Sequence, residues 1–214
     1  MDRREIMGRY QHYVLEHGKP PPSVYAFAKE LGIEERELFE HFGSFESLES
    51  SLWEETVRET IESVRSGEDW AGLNAHQCLL TFLYAYCDRI LDQRSFFLAR
   101  FPRWKRSSSQ PPEGLCGMRT AFTELADEIL ERGMSNGEIA CRGSLTRTYP
   151  IVLFGHFLSV IEFNLADASS GFERTDAYVE KSVRLAFDVI GTQAVDSAFD
   201  LFRFLSGRSW GRPE

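Results

Sequence analysis

An all-α fold is predicted by three features of the 214-residue sequence. Apolar residues return every three or four positions along most of the chain, the signature of one buried helix face. Gly, Pro and Ser interrupt that pattern where helices must stop or start. No stretch sustains the alternation of a strand, and no internal repeat is found. The architecture expected is a three-helix helix-turn-helix head, joined by a long helix to a helical-bundle body, with about nine or ten helices in all. The head is placed at residues 1–46 and the body at residues 47–214.

The first helix is expected from about Asp2 to Glu16, where Ile6, Tyr10, Tyr13 and Val14 share a face. Gly18 and the run Lys19-Pro20-Pro21-Pro22 stop it. Ser23 is suited to cap the next helix, whose stripe is Val24, Phe27, Ala28 and Leu31. Leu31-Gly32-Ile33 makes the turn, since Gly tolerates the backbone that ends a helix. Leu38, Phe39 and Phe42 form the stripe of the third helix. Gly43-Ser44 ends it and caps a fourth, with Glu46 favoured in the first turn by the helix dipole. Leu48, Leu52, Trp53, Thr56, Val57, Ile61 and Val64 carry that helix to about Arg65, too far for a three-helix head alone.

Beyond a break at Gly67 to Gly72, helices are expected at about Asn74–Gln93, Ser95–Trp104, Leu115–Arg132, Leu145–Asp167, Asp176–Ile190 and Gln193–Leu205. The stretch Lys105 to Pro112 is the clearest loop, rich in Ser and Pro. Tyr149 to Ala166 is apolar enough to mimic a membrane span, but His156, Glu162 and Asn164 interrupt it, so no span is expected. The opening MDRREIMGRY lacks the apolar core of a signal peptide. Cys78, Cys87, Cys116 and Cys141 form no C-x-x-C pair and read as reduced thiols of a cytoplasmic protein.

A helix-turn-helix lays its second helix in the major groove of DNA. The charge here opposes that use. Residues 1–64 hold seven Lys or Arg against fourteen Asp or Glu, whereas phosphate neutralisation supplies most non-specific affinity for DNA. From Glu30 to Glu55 there are nine Glu and one Arg. Arg36, His41, Ser23, Ser44 and the Arg3/Arg4 arm are the candidates for anchoring a duplex. An acidic surface that meets a basic protein is another use of the same face.

The head resembles that of the TetR family of one-component transcriptional regulators. Ala28, Gly32, Ile33, Leu38, Phe39, His41, Phe42, Ser44, Glu46 and Leu48 carry the motif at the right spacing. Glu131 to Ile139 is similar to the turn between the two helices that line the pocket in many members, and Ala194 to Asp200 is similar to a C-terminal helix added in a subgroup. The resemblance implies a homodimer with a DNA-binding head and a small-molecule pocket in the body. Ligand binding would shift the population between two dimer states and release the operator. It also implies Lys at the position of Phe45, Tyr at Phe39 and small polar residues at Glu34 and Glu37, positions that typically serve phosphate or base contacts. A second reading follows from those departures: a TetR-fold protein that binds a lipid or small molecule and whose acidic head no longer binds DNA.

In the body, Tyr84, Phe96, Phe97, Phe101, Trp104, Phe122, Phe154, Phe157 and Phe163 lie on helices that would surround a bundle cavity. The expected pocket wall is Tyr84, Phe97, Phe101, Trp104, Phe122, His156 and Phe157, which suits a small apolar or aromatic ligand. The helices near 145–167 and 176–190 are the expected homodimer surface, the second through Tyr178, Val179, Val183, Leu185, Ala186, Val189 and Ile190. No nucleophile–base arrangement, Gly-rich phosphate loop or catalytic carboxylate pair stands out, so no enzyme activity and no cofactor are expected. His12 and His17, five apart, do not make a metal site.

Overall fold

The computed structural model describes residues 1–102, 113–143 and 146–191, among which there are nine α-helices and no strand. Trp104, Leu145, the Lys105–Pro112 loop and the Gln193–Leu205 helix lie outside the described residues.

The head is built from α1 (Arg3–His17), α2 (Val24–Leu31), α3 (Glu35–His41) and the start of α4 (Phe45–Arg65). Asp2 caps α1 by accepting from the Glu5 amide, and Ser23 caps α2 by accepting from Ala26. Gly32 takes φ 71°, a left-handed geometry that a side chain would strain. In that conformation the Ile33 amide reaches the Ala28 carbonyl at 3.0 Å and closes the end of α2. Ser44 and Ser47 form a reciprocal capping box on α4.

Ile6, Tyr10 and Val14 of α1 meet Phe27, Ala28, Leu38, Phe42 and Leu48 in one buried cluster. Phe39, expected on the inner stripe, is 48% exposed. Leu38 and Phe42 are four residues apart and both turn inward, which leaves Phe39 about 100° round the helix. Phe45 goes the other way: its ring stacks on Tyr10 at 5.3 Å and meets Phe27 edge-on at 5.8 Å.

α4 runs from head into body, where α5 (Ala75–Asp92) and α7 (Cys116–Ser135) pack on it. α6 (Arg94–Arg100) stops short of the expected Trp104, because Phe101 precedes Pro102 and a residue before proline is driven out of helical geometry. α8 (Tyr149–Ala166) begins with Pro150 in its first turn, after a tight turn at Thr146–Thr148. Thr146–Ala166 is long and apolar enough to cross a membrane by composition. Here α7 and α9 (Glu173–Gly191) pack on either side of it, and Leu153, Phe154, Phe157, Leu158 and Ile161 are buried within the protein.

α9 starts ahead of the expected Asp176 because the Asp167 carboxylate gathers its first turn. The Thr175 amide donates to it at 2.9 Å, the Thr175 hydroxyl at 2.8 Å and the Ser169 amide at 2.8 Å. Arg94 closes the end of α8, donating to the carbonyls of Asn164, Leu165 and Asp167 at 3.0 to 3.1 Å. The Asn164 carbonyl also accepts from the Asp167 amide at 3.1 Å, and because the last carbonyls of a helix lack the amide one turn on, the guanidinium supplies a partner. α7 carries on to Ser135, and its Gly133 lets Ile139 and Ala75 pack closely, since a Cβ would lie 2.5 Å from Ile139 and 2.9 Å from Ala75.

Candidate functional site

The outer face of α2 and α3 exposes Tyr25, Glu34, Glu35, Arg36, Phe39 and Glu40. Arg36 sits 3.7 Å from Glu40, one turn along, with 88% of its side chain exposed. His41 is half-buried beside Phe42. Ser23 and Ser44 both serve as helix caps. Each hydroxyl oxygen accepts from an amide there, and the Ser44 hydroxyl also hydrogen-bonds the Glu46 carboxylate. Arg3 donates to Ser51 at 2.6 Å and lies 4.9 Å above the Phe42 ring, while Arg4 pairs with Glu55 at 2.6 Å. The amino terminus is held by Glu37 at 2.6 Å. Arg3 and Arg4 therefore line a cleft of about 570 Å³ between α1 and α4, not the face of α3.

The predicted pocket wall divides into an inner and an outer set. Phe97, Phe101, Phe122 and Phe157 are all buried. Phe122 and Phe157 stack at 4.5 Å with planes 11° apart, and Phe97 and Phe101 stack at 5.7 Å. Tyr84 is not with them: it is 38% exposed on the outside of α5, and its hydroxyl donates to the Asp176 carbonyl at 3.4 Å. Residue 84 lies on the side of α5 that faces α9, away from the ring cluster. His156 is also outside the cluster, on the α8 edge that faces α9, with Nε2 2.8 Å from the Ser182 hydroxyl.

Two groups that carry the body's polar chemistry were not anticipated. Tyr86 joins the two ring stacks, 4.7 Å from Phe157 and 6.4 Å from Phe97, and its buried hydroxyl has no hydrogen-bond partner. The signal was its place on the inward stripe Leu79, Phe82, Leu83, Tyr86, Ile90 of α5. Glu49 of α4 is buried and accepts from the Tyr10 hydroxyl at 2.5 Å and from Arg100 of α6 at 2.5 and 3.0 Å. A Glu beside Leu48 on the apolar register of α4 was the corresponding signal.

On α9, Val179, Val183 and Ile190 were expected on a dimer surface but turn inward with Phe187. α5 and α8 cover that side of the helix. The outward face is formed by Leu185 and Val189, with Tyr178 and Ala186 half-buried, and α8 adds Ile151 and Val152. Tyr178 stacks on Phe163 at 4.3 Å and shares a hydrogen bond with Ser159 at 3.0 Å.

Two titrations differ enough to be separated. Burial lowers the His156 imidazole to about 4, so the folded state keeps it neutral while an unfolded chain takes up a proton near pH 6.5. Its contribution is complete above about pH 6.5 and drains away as pH falls towards 4. Burial pushes the Asp167 carboxyl up, but the hydrogen bonds from Ser169 and Thr175 outweigh it and hold it at about 2. That contribution is present above about pH 4 and is lost as pH falls towards 2. Urea midpoints measured against pH should show both limbs. His156→Gln should flatten the upper one, and Asp167→Asn should weaken the lower.

A helix-turn-helix head on a body of packed helices is the arrangement of a one-component regulator. The tetracyclin repressor-like C-terminal domain matches residues 78–205, more than half of the chain, and the chain belongs to this TetR family of transcription regulators. No curated protein matches it by sequence. Its fold is similar to that of the fatty acid degradation regulator FadR from Bacillus halodurans, with TM-score 0.62 and 18% identity over 87% of this chain and 98% of that one. A protein of Shewanella sp. PV-4, described as a tetR family transcription regulator, gives TM-score 0.59 and 16% identity over 89% and 98%. The TetR family regulator PfmR from Thermus thermophilus gives 0.50 and 20% over 84% and 97%.

Proposed function

We propose that the chain is a dimeric, ligand-responsive transcriptional regulator of the cytoplasm, with no catalytic step of its own. It binds an operator duplex through α3 and is released or retained by a small apolar ligand held in the body. The observation that carries this reading is the α2–Gly32–α3 unit. Its inner face is fully committed to the head core, and its outer face leaves Tyr25, Arg36 and Phe39 unburied. Residues 1–46 form the DNA-binding domain and the remainder the ligand-binding and dimerisation domain. Leu185 and Val189 of α9, with Ile151 and Val152 of α8, form an outward apolar face suited to an isologous pairing of two copies.

The acidity of the head does not close this route. Arg36–Glu40 is an exposed pair, and exposed pairs are worth about 0–1 kcal/mol, so a phosphate can take Arg36 from its carboxylate. The expected result is sequence-selected duplex binding at low salt that falls steeply with added salt. Arg36→Gln should weaken it on every duplex and lower the salt slope by about one. If a selection from genomic fragments at low salt returns no duplex, the reading fails. The second reading then stands, a TetR-fold binder of a lipid or small molecule, favoured by Glu34, Glu35 and Glu40 on the exposed face of α3.

A further inference from the structure

We propose that Tyr86 is the polar anchor of the effector site, and that the site takes a neutral apolar or aromatic molecule through one carbonyl-type acceptor. The inference rests on the ligand-responsive reading for its biological role, but the binding itself requires no DNA.

Tyr86 is 1% exposed, and its ring contacts are all with phenylalanines: Phe157 at 4.7 Å, Phe82 at 5.9 Å and Phe97 at 6.4 Å. Its hydroxyl is buried and unpartnered. An unmade hydrogen bond in such a setting is destabilising, and buried polar groups in folded proteins are very largely paired. Phenylalanine would fill the same volume without that cost, and the surrounding positions are phenylalanine already. A lone water is a poor partner, because a buried water needs two to four polar neighbours and this wall offers rings. What suits the hydroxyl is an acceptor carried in on an otherwise apolar molecule.

The acceptor has to be neutral. A carboxylate placed among these rings would be a buried charge without a counter-ion. Arg94, one turn before Phe97, spends its guanidinium on Asn164, Leu165 and Asp167 and stacks over Phe172 at 4.6 Å. Burial also keeps the phenol protonated at neutral pH, so it donates. α5 supplies Tyr86 and Phe82, and α6, α7 and α8 supply Phe97, Phe122 and Phe157. A flat or acyl ligand would need these packed rings to move apart, and would replace their ring–ring contacts with ring–ligand contacts of the same kind.

The test uses the full chain and two fluorescent probes, 6-propionyl-2-dimethylaminonaphthalene, a neutral aromatic ketone, and 2-dimethylaminonaphthalene, which lacks the carbonyl. Wild type should bind the ketone more tightly. Tyr86→Phe should weaken ketone binding about tenfold while the carbonyl-free probe changes by less than about twofold. Without ligand, Tyr86→Phe should melt higher than wild type, because the unpaired hydroxyl is gone. The proposal is overturned if wild type binds neither probe, if Tyr86→Phe leaves ketone affinity unchanged, or if that variant melts lower. Duplex binding is measured separately through Arg36. Loss of duplex binding with a Tyr86-dependent ketone affinity removes the regulator and keeps the anchor, and the reverse removes the anchor alone.

Discussion

Phe157→Ala should destabilise the protein by about 3–5 kcal/mol, the range for a large aromatic removed from a packed core. Phe157 is fully buried at the centre of α8. Four rings meet it: Phe122 at 4.5 Å, Tyr86 at 4.7 Å, Phe82 at 5.4 Å and Phe154 at 6.3 Å. They come from α5, α7 and α8 itself, so the space left behind cannot close by movement of one helix. The transfer loss and the residual cavity therefore add. Phe157→Leu keeps most of the volume and should cost clearly less. Urea unfolding by far-ultraviolet circular dichroism reads both values. A loss below about 1 kcal/mol for the alanine variant would mean that the ring cluster repacks freely and is not the core of the body.

Most helices were legible in the sequence because their limits are chemical. Asp2, Ser23, Ser44 and Asn74 each accept from an amide three residues on, and Gly18 and Gly32 end α1 and α2 in left-handed geometry. These are local events, visible without the rest of the chain. The start of α9 was misjudged because its cap, Asp167, lies eight residues before Thr175 and reaches it across a turn. The end of α6 could have been read from Pro102.

The site was less legible, because helical spacing says that a residue faces inward and not which neighbour it meets. Phe97, Phe101, Phe122 and Phe157 are buried in two separate ring stacks, Phe97 on Phe101 and Phe122 on Phe157. Tyr84 and His156 have similar spacing but face α9, since each sits one or two positions round from the buried stripe of its helix. Phe45 illustrates the same limit in the head. Where the family resemblance implies a phosphate-binding Lys, the ring joins Tyr10 and Phe27 in the core, so the head exchanges a cation for packing. The acidic balance of α3 was plain from composition alone, but not that Glu37 would hold the amino terminus at 2.6 Å and Glu40 would pair loosely with Arg36 at 3.7 Å.

Glu49→Ala should cost about 3 kcal/mol or more, against almost nothing for Glu55→Ala or Glu40→Ala, although all three remove a carboxylate from an arginine. The difference is burial. Glu49 has 9% of its side chain exposed and Arg100 28%, whereas Glu40 and Arg36 have 64% and 88%, and Glu55, at 24%, faces an Arg4 that is 77% exposed. Removing Glu49 leaves the Tyr10 hydroxyl and one face of the Arg100 guanidinium without their acceptor in a place that water reaches poorly. Burial and the neighbouring Glu49 carboxylate hold the Tyr10 phenol well above its ordinary range, so it remains a donor throughout. Glu49→Gln retains an acceptor for Tyr10 and should fall between wild type and alanine. A double-mutant cycle with Arg100→Ala should return a coupling of more than about 1 kcal/mol. Because Tyr10 belongs to α1, Glu49 to α4 and Arg100 to the end of α6, the cluster ties the head to the body, beside the Gln11–Gln93 hydrogen bond and the Tyr10–Phe96 ring contact. Amide exchange in α1 should therefore accelerate more than exchange in α7 when Glu49 is replaced. Equal acceleration in both helices would show that the cluster supports the whole fold and not the junction between head and body.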